Sequence, residues 1–508
     1  MAGLMTSPRR LFLLLLPLTL AFRFWLAAAM PITGDEAYFI WWGKIPDWGF
    51  YDHPPIVGWL LAALLLVSDA EWWLRLPAIL QPAVLGLATA ATLASIWGNG
   101  RDNGDRAWWA AVLVLLAPAS VWNVFITTDT PLVYFSVLSG LAWVKATQDD
   151  ESGYGWFVVC GVLLAGAVLS KYFVALLGFA YLIHALCLRR RRVFAGLLIA
   201  YACCLPALGL MAWWNAGHCW PNYMFNFVNR HEGGGGLSWQ TPLLYAATLA
   251  YLLTPPGLWL LMRRGDGAVG RGLAVLSFVP FLLFALLSVG KKIGLHWLLS
   301  FLPFALAWLA LRLPAATLNR LGYFFVAFAG LHVAGISVVA NLPLETWKPI
   351  RIYDGVVLTI RAPQLIERLK PYEAEFIFTS DGYSNAVTLG YNARRYFAVF
   401  GIGSSHARHD DILTDWYALD GKNILTLRKT EPTLADYQPY FSSVEIKRFE
   451  EAGAPFWIVL GRGFHYETYR DRVLTEIRQR WYALPGWLPQ TRCYFCDRYF
   501  GGETCRRS

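Results

Sequence analysis

The fold class predicted from this chain is a polytopic α-helical membrane protein with a C-terminal α/β domain, and three observations predict it. Of its 508 residues 56% are hydrophobic and only 15% charged, far from the quarter-charged composition of soluble domains. Apolar runs of roughly 17 to 25 residues, each long enough to cross a bilayer, recur through the first two-thirds. From about residue 345 short alternating segments replace them. The net charge of +9 comes from basic residues in short loops between spans. No basic stripe interleaves with aromatics on a soluble face, so nucleic acid is not an expected partner.

In chain order, spans are expected near 11–30, 75–97, 107–125, 131–147, 156–170, 171–188, 193–214, 242–262, 272–290, 295–312 and 321–341, about eleven in all. Arg9 and Arg10 before the first run resemble a secretory signal. The run is long, lacks a small-residue cleavage site and is followed by more spans, so a retained helix is expected. The loops alternate in charge. One set holds fourteen basic residues: Arg9, Arg10, Arg101, Arg106, Lys145, Arg189 to Arg192, Arg263, Arg264, Arg271, Arg312 and Arg320. The other holds five: Lys44, Lys171, Arg230, Lys291 and Lys292. The positive-inside rule places the first set in the cytoplasm. Residues 34–55 and everything beyond 341 then face outward. Residues 1–344 make the membrane domain, with a first outer loop at 31–74, and 345–508 the soluble one.

The first outer loop reads GDEAYFIWWGKIPDWGFYDHPP over 34–55 and concentrates Asp35, Glu36, Asp47, Asp52 and His53 among aromatics. Trp and Tyr alone ordinarily anchor a loop at headgroup level. Acids beside a bilayer are costly unless they meet water, a cation or each other, so Asp35 and Glu36 together read as functional. Ile56 to Val67 is apolar but too short to cross and is expected to lie along the interface. The second outer turn, Thr127-Thr128-Asp129-Thr130-Pro131, adds Asp129, which an N-cap role would also explain. Lys171, where two spans meet, reaches the same outer level. The fourth loop combines Arg230 with a four-glycine run, a weak phosphate-cradle signal and a better flap. The fifth turn, Gly290 to Trp297, places Lys291 and Lys292 against the charge preference, which an anionic ligand would account for.

Strands are expected at 375–381, 396–401, 423–429, 443–449 and 456–462, with helices between. Cys160, Cys187, Cys203 and Cys204 lie in apolar spans as small hydrophobes. At the C-terminus a disulfide joining Cys493 or Cys496 to Cys505 is favoured over zinc, because no second Cys/His pair has finger spacing.

Acids (Asp35, Glu36, Asp129) and cations (Lys171, Arg230, Lys291, Lys292) at outer span ends suit transfer of a sugar from a lipid-linked phosphate. Cations stabilise the departing phosphate, and a carboxylate orients or deprotonates the acceptor. Asp35, Glu36 and His53 offer ligands of the kind Mg²⁺ or Mn²⁺ takes, without a spacing that demands either.

The stretch GDEAYFIWWGKIPDWGFYDHPPIVGWL resembles the first-loop signature of bacterial relatives of protein O-mannosyltransferases, including lipid A aminoarabinose transferases. The resemblance continues at TTDTPLVYF (127–135), LSKYFVALL (169–177), WWNAGHCWPNYMFNFVNRH (213–231) and TSDGYSNAVTLGYN (379–392). It implies a GT-C fold and a polyprenyl-phosphate sugar donor. The acceptor would be lipid A, another envelope glycan or a protein, and the setting a bacterial inner membrane with the C-terminal domain periplasmic. It also implies Asp35 as catalytic base or acceptor-orienting carboxylate with Glu36 beside it, Asp129 as the second-loop acid and Lys171 on the lipid phosphate. Tyr38, Asp52, His53 and Pro54 would shape the first loop. Thr-Thr-Asp replaces the family's frequent Thr-Pro-Asp, and the Lys291-Lys292 turn matches only loosely. The rival classes are a lipid-linked sugar flippase, which calls for mid-span charges and two related halves, and a non-catalytic assembly protein.

Overall fold

The structure, a computed structural model, describes residues 7–98, 101–148, 153–229, 236–263, 269–489, 492–501 and 505. Its contacts divide the chain into two units. The first comprises residues 1–30, 67–209 and 234–341, and the second 31–66, 210–233 and 342–508. The 31–66 segment, expected as a loop of the membrane domain, therefore packs with the C-terminal domain.

Among the described residues, five helices lying wholly or mostly in the first unit are long and apolar enough to cross a membrane: α1 (Pro8–Ala29), Glu71–Trp97, Arg191–Gly217, Arg271–Ser288 and Ala315–Ala340. A sixth forms if Gln240–Leu253 and Pro255–Met262, bent by 101°, are one broken span. Further apolar helices of 10 to 17 residues, Gly155–Val168, Tyr172–Leu188 and Leu302–Arg312 among them, fall at other expected spans. The span expected at 131–147 lies in the continuous helix Asp129–Gln148, while others are short or interrupted, and the interruptions have causes in the sequence. Pro118 ends one helix and opens the next, as expected of a residue without an amide proton. Lys171 is an extended residue between Gly155–Val168 and the short 3-10 turn Tyr172–Val174. At the sharp bend, Thr254 has φ +63° and its hydroxyl accepts from the Gly257 amide.

Two buried arginines staple this unit. Arg23 donates to the carbonyls of Ile79 (2.9 Å), Asn123 (2.7 Å), Ala78 and Ser120. Arg75 donates to those of Ala27 (2.7 Å) and Met30 (2.6 Å). Carbonyls left over at helix ends need donors, and a guanidinium supplies several in one plane. Arg23 thus satisfies carbonyls from two segments, and Arg75, at the start of the Leu76–Trp97 helix, satisfies those at the end of α1.

The second unit contains α2 (Gly34–Lys44), α3 (Ile56–Leu65) and a five-stranded sheet. All five predicted strands are present: β1 (Ile377–Ser380), β2 (Ala398–Val399), β3 (Ile424–Arg428), β4 (Phe441–Glu451) and β5 (Ala454–Phe464). Their order is β2-β1-β3-β5-β4. β1 runs parallel to β2 and β3, while β5 is antiparallel to β3 and β4. The β4–β5 hairpin turns through Ala452 (φ 49°) and Gly453 (φ 77°), the two left-handed residues that a twist-compatible two-residue turn requires. β4 forms one edge, and its outward residues include Glu445, Lys447, Arg448 and Glu450.

Within this unit Cys219 is bonded to Cys493 and Cys496 to Cys505. The second bond is one of the two expected alternatives. The first recruits a loop cysteine 274 residues away, which C-terminal spacing alone does not reveal. Cross-links of this kind stabilise by restricting the unfolded chain. We expect Cys219→Ala/Cys493→Ala to lose about 2–4 kcal/mol, read as a lower melting temperature than that of the wild type under non-reducing conditions.

Candidate functional site

In the first unit, the helix Asp129–Gln148 opens on its acid. The turn before it is fixed by the Asp129 amide donating to Thr127 Oγ1 (3.3 Å), the Thr127 amide to Thr130 Oγ1 (3.2 Å) and Gln81 to the Thr130 carbonyl (2.8 Å). Lys171 Nζ donates to both Asp129 oxygens, at 3.0 and 2.9 Å. Both residues are only 7% exposed, so neither charge is left to water. His296 Nε2 lies 3.9 Å from Asp129 Oδ2 and is itself exposed. Phe173 walls the site, with Lys171 Nζ 5.6 Å from its ring centre and Trp297 packed against it at 4.2 Å. Lys292 is exposed and Lys291 half-buried. It is His296, from the same turn, that reaches Asp129. Arg230 and glycines 233–235 lie outside the described residues.

In the second unit, Thr33 and Glu36 form a reciprocal cap on α2. The Glu36 amide donates to Thr33 Oγ1 (3.3 Å), and the Glu36 carboxylate accepts from the Thr33 amide and hydroxyl (both 3.1 Å). Glu36 is fully buried. Asp35 is exposed on the same turn, and its Oδ1 accepts from the Tyr383 hydroxyl at 3.1 Å. Downstream, the Tyr38 hydroxyl donates to Asp52 Oδ1 (3.2 Å) and accepts from the His409 amide (3.2 Å). His53 Nε2 is 3.9 Å from Asp52 Oδ2, and Pro54 is buried behind it. The segment is locked by Trp42 stacked on Phe50 at 4.2 Å. Gly58 allows this, since a Cβ there would sit 2.5 Å from the Phe50 ring.

Burial and then the charge of Asp52 hold the Tyr38 phenol well above its usual range. Both Tyr38 and Tyr383 therefore stay proton donors. A small cavity of about 20 Å³ lies among Tyr38, Trp41, Tyr383, Tyr396, His409 and Asp410, room for about one water.

The metal reading does not fit these residues. Among the described residues, the one group of His, Cys, Asp or Glu whose ligand atoms lie within 4.8 Å of one another is Cys493, Cys496 and Cys505, all disulfide-bonded. Asp35, Glu36 and His53 do not gather around one ion, and Glu36 is committed to its cap.

Three contributors escaped the sequence reading. Thr33-Gly-Asp-Glu36 carries the Thr-x-x-Glu capping signature, overlooked because the acids drew attention as a pair. Tyr383 and His409 approach α2 from more than 340 residues away (|i−j| of 348 and 371); Tyr383 lies in the 379–392 stretch that carries the resemblance, but no local pattern announces either contact. His296 stood beside two lysines whose charge was the louder signal.

Residues 52–214 match the family described as dolichyl-phosphate-mannose-protein mannosyltransferase. Over 191 residues the chain is 31% identical to the lipid A galacturonosyltransferase RgtD of Rhizobium johnstonii, a match spanning 36% of this chain and 38% of that protein. The structural likeness is wider. The crystal structure of ArnT from Cupriavidus metallidurans bound to undecaprenyl phosphate superposes with a TM-score of 0.61, covering 88% of this chain and 97% of that one at 16% identity. The apo structure of the same protein gives 0.61 at 17% identity. The chain is thus a polytopic helical membrane protein with the fold of ArnT.

The soluble elements allow a pH test. His409 Nδ1 is buried with no hydrogen-bond partner among the described residues, and burial, then nearby His218, pushes the imidazole down to about 3 from 6.5. Between those values the unfolded chain binds more protons, so this group's contribution is complete above 6.5 and is lost as pH falls. Asp410 acts in the opposite sense. Burial and then Asp411 hold its carboxyl well above the ordinary range, so the folded state binds more protons and stability falls as pH rises. The slopes oppose at acid pH, and above about 6.5 the Asp410 slope remains. The apparent melting temperature should decline from neutral to mildly alkaline pH. In Asp410→Asn that decline should flatten, as followed by intrinsic fluorescence.

Proposed function

We propose that the protein is a membrane glycosyltransferase that moves a sugar from a polyprenyl-phosphate donor to lipid A or a related envelope acceptor. The observation that carries this reading is the buried Lys171–Asp129 pair at an interrupted helix junction, in a fold shared with a protein crystallised with undecaprenyl phosphate. The partial match to a lipid A galacturonosyltransferase supports the acceptor class.

In this reading an acceptor hydroxyl attacks the anomeric carbon of the donor sugar. The new C–O bond forms as the bond to the phosphate oxygen breaks, and the electron pair leaves with the polyprenyl phosphate. Lys171, oriented by Asp129 and aided by His296, neutralises the departing charge. Asp35, the exposed acid of α2, takes the hydroxyl proton. Glu36 serves by fixing the start of α2. Charges at helix starts and junctions, such as Asp129 and Lys171, suit a surface enzyme better than a flippase with mid-span charges. The two disulfides fit an oxidising compartment, and the basic-loop count fits a bacterial inner membrane with the C-terminal domain periplasmic.

Asp35→Asn should lower turnover on the order of a hundredfold or more while the protein melts as wild type does. Transfer at the wild-type rate by purified Asp35→Asn removes Asp35 from the chemistry. For Lys171→Ala, steady-state kinetics should show the donor KM rising more than the acceptor KM. An unchanged donor KM takes Lys171 off the phosphate.

A further inference from the structure

We propose that Tyr383, from the C-terminal domain, is a positioning residue that fixes the Asp35 carboxylate for proton transfer. This rests on the reading of Asp35 given above.

Asp35 is exposed on the first turn of α2, and among the described residues its carboxylate has one hydrogen-bond partner, the Tyr383 hydroxyl at 3.1 Å. An exposed aspartate otherwise samples several rotamers. A fixed donor on Oδ1 removes most of that freedom and leaves Oδ2 with its lone pairs for an incoming proton. Tyr383 is itself held. It opens the helix Tyr383–Ala393, and its ring packs on Tyr38 at 5.8 Å. Tyr38 in turn is anchored at its hydroxyl by Asp52 and the His409 amide.

The approach of the two helices is built into small residues. A Cβ on Gly34 would collide with Ser384 Oγ, so glycine beside the acid lets the Tyr383 helix come close. Further along, Trp41 meets Tyr396 edge-on at 5.8 Å. Burial, then the Asp35 charge, raises the Tyr383 phenol above its usual range, so it donates across the working pH and is not a competing base. The C-terminal domain therefore completes the catalytic carboxylate's surroundings.

The test uses the purified full-length protein with a polyprenyl-phosphate sugar and lipid A. Tyr383→Phe keeps the ring and removes the hydroxyl. It should lower kcat about tenfold to a hundredfold, the scale of a misplaced reacting group, with the donor KM unchanged. Tyr396→Phe, which loses only a hydrogen bond to Thr414, should retain wild-type kcat. Fluorotyrosines at 383 preserve shape and change only phenol acidity, so kcat should vary with that acidity even where Tyr383→Phe folds poorly. A wild-type kcat in Tyr383→Phe, or a flat fluorotyrosine series, while Asp35→Asn is inactive, overturns the positioning role and leaves the proposed function standing. Full activity in Asp35→Asn overturns both.

Discussion

An ammonium group inside an apolar bundle survives only if its charge is met, and in this protein both oxygens of Asp129 meet that of Lys171. The pair explains the local architecture. Lys171 cannot sit within a continuous lipid-facing helix, so the chain breaks there, and Asp129 must open a helix so that its carboxylate is presented from a rigid end. Pairing does not make such a site especially stable, because desolvation offsets most of the attraction. What pairing does give is orientation. A lysine held by both oxygens of one carboxylate has its direction set by that partner.

The second unit works on the same principle with weaker groups. α2 begins with three polar demands: its orphan amides, the buried Glu36 and the exposed Asp35. The cap satisfies the first two together, since Glu36 and Thr33 bond reciprocally. Asp35 is left as the acid facing outward, steadied from a distant part of the chain. Segments 31–66 and 342–508 belong to one folded unit, so the aromatic loop is shaped by strands and helices that follow it by hundreds of residues.

The legible parts of the sequence were those with a local physical signal. Apolar length announced the helices, and alternation announced β1 to β5 closely. Asp129 and Lys171 were legible because charge at a span end is conspicuous against lipid-like composition. The interruptions within the apolar runs were less legible, because mean hydropathy ignores them. Pro118, Lys171 and Thr254 each break a run that composition reads as continuous. The cap made by Glu36 was not legible because a carboxylate next to another draws attention as a pair, although its spacing from Thr33 is that of a cap. Tyr383, His409 and the Cys219–Cys493 bond depend on contacts across more than 270 residues (|i−j| of 348, 371 and 274), and local pattern in a single sequence does not reveal such contacts.

The β4 edge has a consequence for crowding. A bilayer confines its proteins to two dimensions, where lateral encounters are frequent and repeated in similar orientations. An eleven-residue border strand with free amides and carbonyls would offer a template for annealing one molecule's sheet to the next. Glu445, Lys447, Arg448 and Glu450 project from that border, and bringing two copies together would strip them of water. Dense packing in the membrane can therefore proceed without the domains polymerising into fibres.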